Sequence, residues 1–252
     1  MVTLLFGALS GCSSNKGPAT NSYLRAYVSA SQNLTEQIRQ LPRLIGPRRP
    51  YLPPSPTREE RRDYSLARRS YPAVLARYFG VLSQHCQALS QLYGQAQDRF
   101  AGLNGAGVDP EAVQLVALRV TTIGQRREVF VELDRLCQLR RDAQLRGVSN
   151  DALDAVVLGA AQGAIDGAAG GPETAALGGL IGGVKALLGE ASKSQTEQDS
   201  IHKQAEKLNA AVTDLSRSVV EFQTRHAALV AQLFARYPNQ DWGFLAPKQP
   251  TS

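Results

Sequence analysis

Apolar positions along the chain recur at spacings of three and four, the period of helices that pack on one another. Leu24, Tyr27, Ser31, Leu34, Ile38, Leu41 and Ile45 form a first stripe, which predicts a helix from about Asn21 to Leu44. The segment GPRRPYLPPSP follows, and five prolines in so short a span exclude helix and favour an extended course. Thr57 and Glu60 have the spacing of a capping box and open a second helix. Pro72 falls inside its pattern, where it kinks the helix or restarts it. Leu75, Phe79, Leu82, Cys86, Leu89, Tyr93, Ala96, Phe100 and Leu103 continue the stripe as far as the turn Asn104-Gly105-Ala106-Gly107. Asp109-Pro110-Glu111 restarts a third helix, with a cap, a proline in the first turn and an acid at the positive dipole end. It should run to Arg146, with Gly147 as its stop. Ser149-Asn150-Asp151 caps a fourth. A last helix is expected from about Pro172 to Tyr237, striped by Ile201, Ala205, Leu208, Val212, Leu215, Val219, Phe222, His226, Leu229 and Leu233. The tail from Pro238 to Ser252 reads as irregular. No strand-like alternation competes, so the expected fold is all-α: an elongated antiparallel bundle of long heptad-patterned helices over residues 21–237.

Residues 152–189 differ in kind, because ten of the 22 glycines lie between Gly159 and Gly189. Gly159, Gly163, Gly167 and Gly171 recur every fourth residue; beyond Pro172, Gly178 is spaced four from Gly182, and Gly179 four from Gly183. Each glycine costs about 1 kcal/mol relative to alanine in a solvated helix. So many imply compensation by a closely packed partner helix or by a bilayer. We expect a helical hairpin whose arms meet through these glycines. Ala152–Ala169 as helix would extend about 27 Å, close to the ~30 Å hydrocarbon core of a bilayer. Asp154 and Lys185 fall near its base and Asp166 near its tip, leaving Gln162 at mid-depth. The segment resembles the glycine-zipper hairpins of some outer-membrane lipoproteins. Its place between long helices also resembles, in layout, the α-helical pore-forming toxins of the cytolysin A type.

Near the start, a short apolar run leads into Leu9-Ser10-Gly11-Cys12 and then abruptly into polar residues. This resembles the lipobox of bacterial lipoproteins, in which the preceding segment is removed and the cysteine sulfur is alkylated. Met1-Val2-Thr3 lacks the family's Lys or Arg, and the apolar run is short, both of which a start upstream of Met1 would supply. The resemblance implies a signal segment over residues 1–11 and a lipidated tether over residues 12–20. It also implies a diacylglycerol and an N-acyl chain, such as palmitate, on Cys12. Several chains anchor stably where one does not. Ser13, by the same resemblance, directs the protein to the outer membrane, facing the periplasm.

The chain has 252 residues and a formal charge of +6, with 43% hydrophobic and only 6% aromatic residues. A basic balance on an envelope protein suits anionic lipid or cell-wall carboxylates, and the lipobox argues against nucleic acid. With Cys12 lipidated, Cys86 and Cys137 remain. A simple hairpin about the Leu103–Val108 turn would set Cys86 opposite residues near 126, about 16 Å from Cys137 at 1.5 Å per residue. Two free buried thiols are therefore expected. The three histidines, His85, His202 and His226, form no ligand-spaced cluster, and no HExxH, CxxC or GxSxG occurs. No enzyme, metal or dissociable cofactor is expected. Arg48, Arg49, Arg58, Arg61, Arg62, Arg68 and Arg69 gather around the proline segment. They read as an anionic docking patch, or as solubilising charge in intrahelical Glu–Arg pairs.

These features point to a non-enzymatic envelope lipoprotein with a structural or adaptor role. It would contact bacterial membrane lipid and an envelope protein complex or further copies of itself. A membrane-inserting, pore-forming-type protein that uses residues 152–189 is one alternative. A protein–protein module, such as an immunity or assembly factor, is the other.

Overall fold

The structure, a computed structural model, describes residues 16–148, 150–169, 177–191 and 198–245. Among these residues the chain is all α: α1 (Lys16–Arg39), α2 (Arg58–Ala101), α3 (Pro110–Leu145), α4 (Asp151–Ala169), α5 (Leu177–Ala191) and α6 (Gln198–Arg236), with a short 3-10 turn at Gly243–Leu245. The lipobox lies outside the described residues.

α3 is the axis, packed between α2 and α6, both antiparallel to it. α1 lies along one stretch of α2. The α4–α5 pair occupies the other end, with α5 also against α6. One continuous apolar cluster joins every helix and includes Leu24, Phe79, Leu133, Val157, Val184 and Phe222.

The local signals act as their chemistry requires. Thr57 Oγ1 accepts from the Glu60 amide at 3.2 Å, and the Glu60 carboxylate accepts from the Thr57 amide at 2.7 Å, completing the capping box. Those bonds hold the Glu60 carboxyl below its ordinary value. Asp109 caps α3 by accepting from the Glu111 amide at 3.0 Å. At the other end of α3, Gly147 adopts φ +78°. That turn lets its own amide reach the Gln144 carbonyl at 3.0 Å and the Val148 amide reach Ala143 at 2.9 Å, the paired bonds of a Schellman motif.

Several boundaries differ from the pattern-based expectation. α1 spans 16–39 rather than 21–44. Pro42 disfavours helix in the residue before it, and Ile45, assigned to the stripe, is 89% exposed. α2 passes through Pro72 without a restart, on a stretch of largely exposed helix where water can reach the Arg68 carbonyl that loses its amide partner. The expected last helix from Pro172 to Tyr237 is two helices, α5 ending at Ala191 and α6 beginning at Gln198. The tail is not wholly irregular. Trp242 is fully buried, its Nε1 donates to the Tyr237 carbonyl at 3.1 Å, and its ring lies 6.2 Å from that of Tyr237.

Cys86 and Cys137 are free and buried, as expected, but the register argument for it fails. The two thiols lie side by side, and that contact, with burial, raises the Cys86 thiol above its ordinary value. Tyr93 stacks on Phe130 at 5.7 Å in the same register. The physical reason is the connection. Residues 102–109 do not fold back at once but climb beside the start of α3, with Gly105 against Val113. The first ten residues of α3 thus overshoot the end of α2 by about 15 Å.

The α4–α5 arms do meet at a close backbone approach, at one position among the glycines whose surroundings are described. A Cβ on Gly183 would stand 3.0 Å from Ala160 Cβ and 3.1 Å from its Cα. Gly159, Gly163 and Gly182, expected in the same seam, face open space, since a Cβ there would meet nothing within 4 Å. Gly167 is half-buried in α4. Gly171 lies outside the described residues, and the surroundings of Gly178 and Gly179 are likewise not described. Alanines supply much of the buried side of α4: Ala160, Ala161, Ala164 and Ala168 are buried, Ala160 against Gly183 of α5. Gly183→Ala should therefore lower stability by ~1–3 kcal/mol through overpacking. Gly163→Ala should raise it by up to about 1 kcal/mol through helix propensity. Thermal melts of the two variants check this; a fall in Tm for both would restore Gly163 to the seam.

Candidate functional site

α2 has two regimes. From Leu75 onward it is buried every turn. From Arg58 to Ser70 every residue is exposed except Tyr64, which is half-buried. This arm extends α2 about 20 Å as a lone helix at 1.5 Å per residue. At 100° per residue its charges separate. Arg58, Arg61, Arg62, Arg68 and Arg69 fall within about 120° of arc, and Glu59, Glu60 and Asp63 within about 100° on the opposite side.

The solubilising alternative required Glu–Arg pairs along this helix. Among the described residues none of the five arginines makes an ion pair. Arg61 donates to the Pro56 carbonyl at 3.2 Å, which steadies the helix start. Arg48 is exposed beside the arm. Arg49 leaves the patch for another task, donating to the Asp151 carbonyl at 2.7 Å in the first turn of α4. The structure therefore brings five of the seven predicted arginines onto one face and sets the other two apart.

The opposite end of the bundle is locked. The Asp109 amide donates to Thr20 Oγ1 at 2.9 Å, and its carboxylate accepts from Arg236 at 3.0 Å and from the Tyr237 hydroxyl at 3.1 Å. α1, α3 and α6 meet at that one residue. Asn21 and Arg25 of α1 then bind Asp241 at 2.7 and 2.9 Å, and the Arg25 guanidinium covers the Phe244 ring at 4.4 Å. The first turns of α1 are thus clamped at the end where α3 begins. The arginine arm leaves from the far end, and α2, whose 44 residues include the arm, is about 65 Å long from the Arg58 tip of the arm to Ala101.

Sequence reasoning missed the buried polar groups of α3. Arg119, Arg126, Glu132, Arg140 and Gln144 are all buried. Arg140 donates to Asp154 of α4 at 2.8 Å, and Gln144 donates to the other oxygen at 2.6 Å. Burial raises the Asp154 carboxyl above its ordinary value, against the opposing pull of Arg140. Asp154, placed by the sequence at the base of a membrane hairpin, is instead the root of α4 in the protein core. Glu132 accepts from Gln204 of α6 and from Arg135. Ser218 of α6 donates to Thr122 at 3.2 Å. Arg119 sits over the Phe222 ring at 4.9 Å. His226 is half-buried one turn further on, its ring 5.8 Å from that of Phe222.

A cavity of about 300 Å³ lies between the end of α1, His85 and Leu89 of α2, and Ile165 and Asp166 of α4. Burial lowers His85 below its ordinary value. Among the described residues no three His, Cys, Asp or Glu side chains come together as a metal site. No described helix is long and apolar enough to cross a membrane.

No protein-family model matches the chain, and neither curated proteins nor solved structures give a significant match. The arm and the locked end therefore stand on their own geometry.

Removing Asp154 leaves Arg140 charged and buried, so Asp154→Ala should cost about 3–5 kcal/mol. Replacing the pair together, as Asp154→Leu with Arg140→Met, should recover most of that loss. Because burial raises the Asp154 carboxyl, the native state holds this proton more tightly than the unfolded chain. Its contribution to stability is present at low pH and is lost as pH rises from the ordinary aspartate range through the raised value. Asp154→Asn should abolish that slope. Denaturant unfolding across the acid range measures both effects.

Proposed function

We propose that this protein is a non-enzymatic envelope lipoprotein that works as a two-ended tether, lipid at one end and the arginine arm at the other. The observation that carries the reading is the separation of the ends. The tether enters at the Asp109 lock, and the tip of the arm is the opposite end of the helix α2, which is about 65 Å long. A lipid on Cys12 holds the locked end near a membrane surface, and the bundle carries the arm outward from it. Rigidity between the ends suits such a role. α3 is packed along its length, and the lock joins α1, α3 and α6.

The α4–α5 pair takes a structural part in this reading. Leu153, Val157, Ala160, Ala164 and Ala168 are buried against the other helices, and Asp154 is held by Arg140. Inserting α4 into a bilayer would break this buried ion pair and strip a face that already has partners, a cost of several kcal/mol. For that reason we place the adaptor role above the pore-forming one.

Expression in a bacterial host tests the anchor. Intact mass should show a chain beginning at Cys12 and carrying acyl chains, and Cys12→Ala should move the protein from the membrane to the soluble fraction. An unmodified Cys12 in membrane-bound protein would refute the tether. Vesicle leakage by the acyl-free Cys12→Ser chain would return the argument to insertion.

A further inference from the structure

We infer that the arginine face of the α2 arm is a binding site for the phosphate headgroups of an anionic phospholipid bilayer. The inference deepens the two-ended reading by naming what the outer end meets, and rests on it only for which surface that is. The arm is a helix with no bundle contact from Arg58 to Ser70 beyond the half-buried Tyr64. A helix polar all round, projecting alone, gains nothing from packing and is explained by a surface it serves. Its basic side chains are all arginine, with no lysine. The planar guanidinium fork meets phosphate oxygens two at a time, which a point-charge ammonium does not.

A dissolved polymer also carries phosphate; the form of the face favours a bilayer. Leu66, 55% exposed, and the half-buried Tyr64 stand about 40° beyond the two edges of the arginine arc and about 100° from its centre, so neither interrupts the basic face. The acids Glu59, Glu60 and Asp63 then face away from the lipid. A straight rod of about 20 Å lays its five charges along one line, matching a plane rather than a pocket. The arm is too polar to enter the hydrocarbon, so binding is adhesion at the headgroups, reversed by salt. With Cys12 in one membrane, the arm reaches a second anionic surface, not the first.

The test uses the full chain with Cys12→Ser, so that no acyl chain contributes. Flotation is measured with phosphatidylcholine vesicles containing or lacking phosphatidylglycerol, at low and at physiological ionic strength. The expected result is binding to the anionic vesicles alone, weakened by salt. Arg58→Gln with Arg62→Gln and Arg69→Gln should cut partitioning roughly a hundredfold, at about one tenfold step per 1.4 kcal/mol and about 1 kcal/mol per basic residue. These side chains are exposed, so the melting temperature should not move. A charge-matched control, Lys203→Gln with Lys207→Gln and Arg217→Gln, lies on exposed positions of α6 and should leave binding within a few-fold. No binding to anionic vesicles, or equal loss in both triple variants, overturns the inference. Binding to isolated peptidoglycan or to an acidic protein without vesicle binding also overturns it. Failure here with acylated Cys12 in the host leaves the lipoprotein reading standing; vesicle binding with unmodified Cys12 removes that reading and keeps the arm.

Discussion

The burial of α3 is the constraint on which the rest of the structure depends. Its buried residues cover about 200° of the helix circumference at 100° per residue. No stripe of apolar residues that wide is present, so arginines, a glutamate and a glutamine go inside with the leucines. Each of these groups has to be answered by a neighbour, because a lone buried charge costs several kcal/mol. The answers fix the architecture. Asp154 brings α4 to Arg140, Gln204 brings α6 to Glu132, and the Phe222 ring covers Arg119.

The two ends of the bundle follow from the same constraint in opposite ways. At the start of α3 the capping aspartate is tied to other elements, through Asp109, Thr20, Arg236 and Tyr237. At the other end α3 stops at the Gly147 turn while α2 continues past it. With no neighbour to pack against, the arm can carry charge on all sides. On the arm, basic and acidic side chains fall on opposite sides of the helix. The same freedom explains the unpaired arginines. An arginine inside the bundle must be matched, whereas one on the arm is solvated until something anionic arrives.

The hairpin has a simpler physical role than its glycines imply. Small residues let α4 and α5 approach, and among the glycines whose surroundings are described the close approach is that of Gly183 to Ala160. Glycines at Gly159, Gly163 and Gly182 face open space, and nothing in the packing explains them. A four-residue spacing of glycine is thus a poor guide to a seam, because it fixes which positions share a helix face but not which face meets the partner.

Much of this was legible in the chain alone. Period fixed the helices, and caps fixed their starts: Thr57 with Glu60, Asp109 with Pro110, and Gly147 at the stop act through bonds to neighbours a few residues away. The arginine cluster was visible too, because it lies within one short stretch. Contacts between distant residues were not. The Cys86–Cys137 pairing depended on how far residues 102–109 climb before α3 begins, and loop length does not state that path. Asp154 was legible only as a charge near the base of the hairpin, and its pairing with Arg140 appears only once helix packing encloses both. That the arm stands free, and at the end away from the Asp109 lock, depends on where α3 ends relative to α2. Local hydrogen bonding is written in adjacent residues; burial and register arise only when helices distant in sequence share one core.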